Sequence, residues 1–261
     1  MIELSQLNIY PVKSCAQISL NSARTSPFGL QYDRRWMLID KNGVMLTQRK
    51  HPRMCLIQCE LQQGKLTLNA PGMASIEVTA GTEQLSATVW EDTCQAFDCG
   101  SATADWLSTF LHTPARLVHF PENEIRQVDL NYASPGDITA FSDGFPYLLI
   151  SQGSLDDLNT RLNTTVSMQR FRPNLVVSGT DAYAEDQWKQ IRIGEIEFSL
   201  VKPCSRCVIP SIDPLTAEKS AEPVKTLASY RRRDNKVFFG QNLLAHGSGR
   251  LELGMPVEII A

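Results

Sequence analysis

The 261-residue sequence lacks the features that mark several large classes of protein. No apolar run approaches the roughly 18 residues that a membrane-spanning helix requires. Residues 1–5 have neither the basic start nor the apolar core of a secretory signal. Walker A, G-x-S-x-G and G-x-G-x-x-G motifs are also missing, which excludes the common sequence patterns of P-loop nucleotide hydrolases, α/β-hydrolases and dinucleotide-binding enzymes.

Charge and cysteine content limit the partners and the compartment. The net charge is −3, so we expect no nucleic-acid partner, and without an apolar span we expect no membrane partner. The seven cysteines are an odd number in a chain without an export signal, which is typical of reduced thiols. These features together predict a cytoplasmic protein.

Secondary-structure patterns predict a mainly β, α+β fold. Short apolar runs separated by turn residues fill residues 1–100 and favour an antiparallel β-barrel. The rest of the chain, residues 101–261, forms a predicted β-rich core with a few helices. The helical patterns lie at 102–111, at 155–162 with Ser154 as N-cap, and from Pro223 to Tyr230. The strand patterns lie at 174–177, 191–201 and 257–260.

The motif C-S-R-C at 204–207 is the sharpest local feature, and the residues alone leave three explanations open. Cys204 and Cys207 form a redox dithiol, or half of a zinc site, or a metal-ligating cysteine beside a structural one. A zinc site needs two further ligands, and the sequence has no second C-x-x-C. The cysteines that could supply them are Cys55, Cys59, Cys94 and Cys99. The histidines show no ligand spacing, and we interpret them as structural or surface residues: His51, His112, His119 and His246.

Basic residues form candidate anion sites. Lys13 and Ser14 follow a strand pattern and can offer an ammonium and a hydroxyl to an oxyanion, but a solvated lysine at a strand end is the alternative. Arg34, Arg35 and Arg172 stand beside aromatic residues, where they can bind phosphate or a planar heterocycle, or form ordinary surface ion pairs. Because neighbouring strand residues point to opposite faces, we expect Arg34 and Arg35 to face different sides.

Five short motifs then follow one another in a recognisable order. They are Y-P-V-K-S (10–14), D-R-R-W (33–36), F-R-P-N (171–174), C-S-R-C (204–207) and F-G-Q-N (239–242). Their order resembles that of MOSC-domain proteins of the YcbX type, which are related to the mitochondrial amidoxime-reducing component. The likeness covers nearly the whole chain and implies an N-terminal MOSC β-barrel over 1–100 packed on a MOSC core over 101–261.

This resemblance implies a molybdenum cofactor, in which one pyranopterin dithiolene holds the molybdenum. In this family the second cysteine of C-S-R-C is the metal ligand, which is Cys207 here, and Cys204 is then a packed, unligated thiol. A soft thiolate suits a metal that already carries sulfur ligands. The resemblance also implies a set of cofactor-binding residues: Lys13, Ser14, Arg34, Asp143, Arg172, Asn174, Ser205 and Arg206.

The implied activity is a two-electron reduction of the N–O bond of hydroxylamines, hydroxylaminopurines or amidoximes, with loss of water. Such a reaction would detoxify N-hydroxylated bases. The resemblance makes Asp143 a catalytic candidate that either helps to deliver protons or only orients the cofactor. Relatives of the YcbX type often continue into a ferredoxin-like domain with a C-x4-C-x2-C motif. This sequence has no such motif, so we expect a separate or deleted 2Fe–2S ferredoxin-like electron donor.

Two rival functions remain open at this point. MOSC domains are also appended to cofactor sulfurases, so a non-catalytic carrier of the cofactor or its sulfur would have the same pocket. A structural protein with zinc held by four cysteines is the second rival. Measured molybdenum and zinc contents distinguish the zinc protein from the enzyme. Turnover of N-hydroxylated compounds distinguishes the enzyme from the carrier.

Overall fold

The computed structural model describes residues 1–79 and 81–261 as a strand-rich α+β fold, which confirms the predicted fold class. The helices are α1 (Ser101–Leu111), α2 (Gln152–Thr160) and α3 (Val224–Tyr230). Short 3-10 helices lie at Pro52–Leu56, Met168–Phe171, Ala184–Asp186 and Ile209–Ser211. The strands are β1 (Glu3–Ile9), β2 (Ile18–Leu20), β3 (Ser22–Ser26), β4 (Gly29–Leu30), β5 (Trp36–Ile39), β6 (Gln58–Gln62), β7 (Lys65–Asn69), β8 (Ile76–Glu77), β9 (Gln84–Val89), β10 (Asp92–Asp98), β11 (Arg116–His119), β12 (Tyr147–Ser151), β13 (Leu175–Ser178), β14 (Gln190–Ile193), β15 (Ile196–Arg206), β16 (Arg232–Arg233), β17 (Lys236–His246), β18 (Arg250–Glu252) and β19 (Val257–Ile259).

A large mixed sheet organises the molecule. Its strand order is β19-β14-β15-β17-β12-β13-β1-β2, and β16 pairs with β17. β12 runs parallel to β13, and α2 is the crossover that a parallel pair requires. β1 runs antiparallel to β13. The end of β1 and the starts of β12 and β13 therefore meet at one edge of this sheet.

Smaller sheets complete the barrel-like part. They have the orders β5-β11-β10-β9, β18-β3-β4 and β6-β7-β8. β1 and β2 pair in the large sheet, and β11, which follows α1, pairs with both β5 and β10. Because strands from each half of the chain pair with strands of the other half, the residues of both halves lie close enough to build one site.

Helix α1 shows how an apolar stripe decides local structure. The predicted stripe of Trp106, Leu107 and Phe110 is buried, and the Trp106 and Phe110 rings stack with centroids 6.1 Å apart. These side chains pack against strand residues such as Leu38 and Leu66 in one apolar cluster. Burial of each such side chain stabilises the fold by about 1.5–3 kcal/mol.

The predicted start of α2 is wrong by about one turn. The N-cap is Ser151 at the end of β12, whose hydroxyl accepts a hydrogen bond from the Ser154 N–H at 3.1 Å. Ser154 lies inside the helix, and its hydroxyl donates to the buried Glu185 carboxylate at 2.8 Å. The Ser154 oxygen accepts the Tyr183 N–H at 2.7 Å and not an N–H of the helix. Both Tyr183 and Glu185 lie too far along the chain for a local pattern to reveal these contacts. Within the described ranges, no helix combines the length and the apolarity needed to cross a bilayer.

Candidate functional site

One pocket at the edge of the large sheet collects every residue that the sequence proposed for the site. The residues that line it include Lys13, Ser14, Arg34, Asp143, Arg172, Asn174, Ser205, Arg206 and Cys207. They come from the turn after β1, the turn before β5, the loops before β12 and β13, and the end of β15 with the residue that follows it. The strand order explains most of this convergence, because three of those segments meet at the same sheet edge.

The C-S-R-C segment reaches the pocket through irregular pairing of β15. The register of β15 against β17 shifts between Leu200 and Lys202 and again between Pro203 and Ser205. A regular strand would point alternate side chains to opposite faces, but bulges re-aim them. All four residues of 204–207 therefore line the pocket.

The pocket is strongly cationic in a chain whose net charge is negative. Its wall carries five cationic side chains and a single carboxylate, that of Asp143. Lys13 is paired with Asp143 and Arg34 with Asp33. In the described part of the chain no carboxylate lies within ion-pair distance of Arg49, Arg172 or Arg206. Such an excess of guanidinium groups suits a multiply charged anion such as a phosphate ester.

Arg34 is fixed by three acceptors. Its Nη1 donates to Asp33 Oδ2 at 2.6 Å and to Asn174 Oδ1 at 3.0 Å, and its Nη2 donates to the Arg172 carbonyl at 3.3 Å. The Asn174 amide in turn donates to the Asn8 carbonyl at 3.1 Å. Arg35 lines a different cavity, which confirms that the two neighbouring arginines face different sides.

Two guanidinium groups stack on one buried tyrosine. Arg172 and Arg34 lie 4.1 Å and 4.3 Å from the centre of the Tyr10 ring. Burial raises the pKa of Tyr10 to about 12, so its hydroxyl stays neutral. Arg172 also donates to the Cys15 carbonyl at 2.7 Å. These contacts position two cations side by side without neutralising Arg172.

Lys13 and Asp143 form an ion pair at the pocket wall. Lys13 Nζ lies 2.5 Å from Asp143 Oδ1 and donates to the Phe141 carbonyl at 2.7 Å. Burial lowers the pKa of the Lys13 ammonium to about 8, against the opposing effect of Asp143. Partial removal from water acts to raise the pKa of Asp143, but Lys13 and the Trp90 indole N–H hold that pKa well below its ordinary range. Asp143 is therefore a carboxylate at neutral pH, and Lys13 is the member of the pair that titrates nearest to neutrality.

Three of the predicted site residues have strained backbone. Ser14, Arg34 and Arg172 have φ of 69°, 48° and 58°, in the left-handed region that residues other than glycine rarely adopt. Such conformations persist where the surrounding contacts over-determine them, and they cluster at functional sites. At Arg34 and Arg172 the hydrogen bonds described above supply those contacts.

Cys204 and Cys207 differ in their surroundings. Both are free and partly exposed. Arg206 donates to the Cys204 sulfur at 3.0 Å, whereas the Cys207 thiol has no hydrogen-bond partner among residues 1–79 and 81–261. Over the same ranges no group of three or more His, Cys, Asp or Glu side chains is arranged to hold a metal ion, so the zinc explanation finds no ligand set. A metal at Cys207 would need its other ligands from a cofactor.

The pocket fits a molybdenum cofactor of that kind. Cys207 offers one soft thiolate, which suits a metal that already has sulfur ligands. The cationic wall suits the terminal phosphate of a pterin. Arg49 Nε and Ser142 Oγ are buried without a hydrogen-bond partner in the part of the chain that the structure describes. Both residues line the pocket, so a polar ligand would satisfy groups that the protein leaves open.

Sequence reasoning missed several residues of this wall. Arg49 lies in a short polar loop, and its sequence context is that of any surface arginine. Trp90 lies outside this wall but donates its indole N–H to Asp143 at 3.1 Å; the sequence pattern placed it only at the end of a strand. Asn242 belongs to the F-G-Q-N motif, which provided the only signal among them.

Comparisons with known proteins agree with the motif order. Residues 1–114 match the MOSC N-terminal beta barrel domain, and residues 137–258 match the MOSC domain. The chain is 38% identical to human mitochondrial amidoxime-reducing component 1 over 98% of this chain and 82% of that protein. It is 35% identical to bovine mitochondrial amidoxime reducing component 2 over 97% of this chain and 82% of that protein. It is also 33% identical to human molybdenum cofactor sulfurase over 97% of this chain but only 31% of that protein.

The predicted cytoplasmic location is contradicted by these relatives, because the amidoxime-reducing components are mitochondrial proteins. The physical reason for the error is that free thiols report only a reducing environment. More than one compartment provides such an environment, so the seven free cysteines cannot select the cytoplasm.

The family assignment follows from the extent of these matches. The two domain matches cover most of the chain, and relatives with 33–38% identity align with 97–98% of it. The chain therefore belongs to the MOSC-domain family that includes the mitochondrial amidoxime-reducing components.

Proposed function

We propose that this protein is a molybdenum-cofactor-dependent oxidoreductase that reduces N-hydroxylated compounds. Amidoximes, hydroxylamines and hydroxylaminopurines are the substrate class, and removal of N-hydroxylated bases is the cellular use. The observation that carries the proposal is the free Cys207 thiol in a pocket with five cationic side chains. Amidoxime-reducing components align with 97–98% of this chain over 82% of their own length.

The protein residues bind and orient the cofactor in this proposal. Cys207 is the protein ligand of the molybdenum, which one pyranopterin dithiolene holds and which supplies the two-electron chemistry when bound. Arg34, Arg172 and Arg206 hold the phosphate and pterin, since each has N–H groups fixed at the pocket wall. Asn174 acts through Arg34, whose guanidinium it positions.

The balanced reaction for an amidoxime needs protons as well as electrons. R–C(NH2)=N–OH, two electrons and three protons give the amidinium R–C(NH2)2⁺ and water, and the N–O bond is the bond that breaks. Asp143 is a weak proton donor at neutral pH because its pKa lies well below the ordinary range. We therefore assign Asp143 to holding the Lys13 ammonium in place, whereas Lys13, with a pKa of about 8, can exchange a proton near neutral pH.

Both predicted parts of the chain, 1–100 and 101–261, are needed for this site. Lys13 and Arg34 come from the first part, and Arg172 and Cys207 from the second. We infer that they act as one cofactor-binding unit. In our proposal electrons come from a 2Fe–2S ferredoxin-like donor, which is either a separate protein or a deleted domain.

The test compares two cysteine variants of the cofactor-loaded protein. Molybdenum content is measured by elemental analysis, and benzamidoxime reduction is measured with chemically reduced viologen as electron source. We expect Cys207→Ser to lose the metal and the activity, and the matched control Cys204→Ser to keep both. Thermal unfolding checks that each variant is folded. Full molybdenum and activity in Cys207→Ser would show that the ligand assignment is wrong.

A carrier of the cofactor or its sulfur is the second candidate. The observation that favours it is the match of 97% of this chain to 31% of molybdenum cofactor sulfurase, because it shows the same unit inside a larger protein. A carrier would bind molybdenum through Cys207 but would not reduce benzamidoxime when supplied with electrons. Sustained turnover by wild-type protein excludes the carrier, and molybdenum without turnover excludes the reductase.

A further inference from the structure

A second cavity opens beside the cationic pocket. Its volume is about 720 Å³, within the range of small-molecule sites. It shares a wall with the first pocket, formed by Asp143, Gly144, Phe145, Cys204, Ser205 and Asn242. Its other wall comes from the turn between β9 and β10 and from the loop before β12. A molecule in this cavity would therefore reach the C-S-R-C segment from a side that Arg34, Arg172 and Arg206 do not line.

Trp90 occupies an unusual backbone position on the wall of this second cavity. Trp90 and Glu91 form the two-residue turn that joins β9 to β10, and φ of Trp90 is +56°. Two-residue hairpin turns place glycine or asparagine at such positions, because a bulky side chain is strained there. A strained aromatic residue beside a reactive pocket points to function rather than to turn formation.

The Trp90 ring is held in place from one side. Its Nε1 donates to Asp143 Oδ1 at 3.1 Å, and the Arg49 guanidinium lies 4.4 Å from the ring centre. The residue nevertheless stays 37% exposed and lines the second cavity. The contacts therefore fix a flat apolar surface at the boundary between the two cavities.

We propose that the second cavity admits the substrate and that Trp90 selects flat, conjugated N-hydroxylated compounds by stacking on them. The proposal rests on the proposed reductase function and names the part of its substrate class that this chain favours. An aromatic amidoxime or an N-hydroxylated purine presents the planar π surface that an indole recognises. A small aliphatic amidoxime presents the same N–OH group without that surface.

The geometry also predicts how replacements at this turn behave. Glycine adopts φ of +56° without strain, so Trp90→Gly keeps the hairpin and removes the ring. Trp90→Phe keeps an aromatic ring but loses the hydrogen bond to Asp143. Glu91→Gly is the matched control, because it also places glycine in the turn but leaves the indole intact.

The experiment measures binding and turnover for two substrates. Calorimetry gives the affinities of cofactor-loaded protein for benzamidoxime and acetamidoxime, and reduced viologen assays give their KM values. We expect Trp90→Gly to weaken benzamidoxime binding and raise its KM about tenfold, which is the size of one aromatic stacking contact. Acetamidoxime should change by less than about twofold, since it makes no such contact. Trp90→Phe should recover most of the benzamidoxime affinity, and Glu91→Gly should match wild type.

Equal losses of affinity for both substrates in Trp90→Gly would overturn the proposal. Unchanged benzamidoxime affinity in Trp90→Gly would also overturn it, and so would a wild-type protein that does not bind benzamidoxime. Thermal unfolding should show no loss of stability in Trp90→Gly, whereas a purely structural role for the indole predicts a clear decrease. Wild-type protein that binds benzamidoxime selectively but turns over neither substrate would refute the reductase function and not the role of Trp90 in binding. The two failures are therefore distinguishable.

Discussion

The buried pair of Asp33 and Arg34 offers the sharpest test of how the fold supports the site. The Asp33 side chain is 0% exposed and that of Arg34 is 14% exposed. Asp33 Oδ1 accepts the Tyr10 N–H at 2.8 Å, and Oδ2 accepts Arg34 Nη1 at 2.6 Å. Asp33→Asn keeps the shape and the first acceptor, but it turns an amide N–H2 toward Arg34, so that a donor faces a donor.

The magnitude follows from the burial of both groups. Removal of one partner of a buried ion pair leaves an uncompensated charge and costs about 3–5 kcal/mol. For a domain of this size each kcal/mol lowers Tm by roughly 2–4 °C, so Asp33→Asn should lose roughly 6–20 °C. The control is Glu77→Gln, which makes the same chemical change in the exposed pair with Lys65. An exposed pair contributes less than about 1 kcal/mol, so its Tm should stay within roughly 4 °C of wild type.

The assay is thermal and urea unfolding of wild type and both variants at equal cofactor content, because a bound cofactor shifts apparent stability. If the decrease in Tm of Asp33→Asn is no larger than that of Glu77→Gln, the reasoning that a buried carboxylate anchors Arg34 is refuted. A large loss of stability together with weaker phosphate binding would show that the same contact serves both the fold and the site.

Three further predictions concern charge, backbone and packing. The Lys13 ammonium has a pKa of about 8, so it is charged below that pH and neutral above it. The affinity for sulfate, measured by calorimetry, should therefore fall about tenfold as the pH rises through 8, which is the size of one charge-assisted hydrogen bond. Lys13→Met should abolish this pH dependence. Gly240→Ala should lower the free energy of unfolding in urea by about 2–4 kcal/mol, because φ is +83° and a Cβ would lie 2.6 Å from Ile150 Cγ1. Gly72 has φ of +76° but open space around it, so Gly72→Ala should lower that free energy only by the backbone strain of about 1 kcal/mol. Phe171→Ala should lower the free energy of unfolding by about 3–5 kcal/mol in the same assay, because its ring is fully buried. A decrease under about 1 kcal/mol would show that neighbouring side chains fill the space left by the ring.

Local patterns predicted much of the secondary structure, and the resemblance to the MOSC family, carried by five short motifs, implied the residues of the pocket. The apolar stripe of α1 and the F-R-P-N and C-S-R-C motifs act over a few residues, so they are visible in the chain itself. The start of α2 was misplaced because the acceptor for Ser154 is Glu185, a contact that no local pattern contains. The cytoplasmic prediction failed for a different reason, since thiol content does not distinguish between reducing compartments.

The sequence by itself determined the chemical inventory of this protein: the thiols, the arginines beside aromatic residues and the motif order that identifies the family. Only the tertiary structure decided which of these groups act together. The pairing of β1 and β12 with β13 brings Lys13, Asp143 and Arg172 to one edge, and the hairpin of β9 and β10 places Trp90 beside them. Short-range propensities fix strands and turns, but the closeness of distant segments depends on long-range pairing and burial, which a linear pattern does not encode.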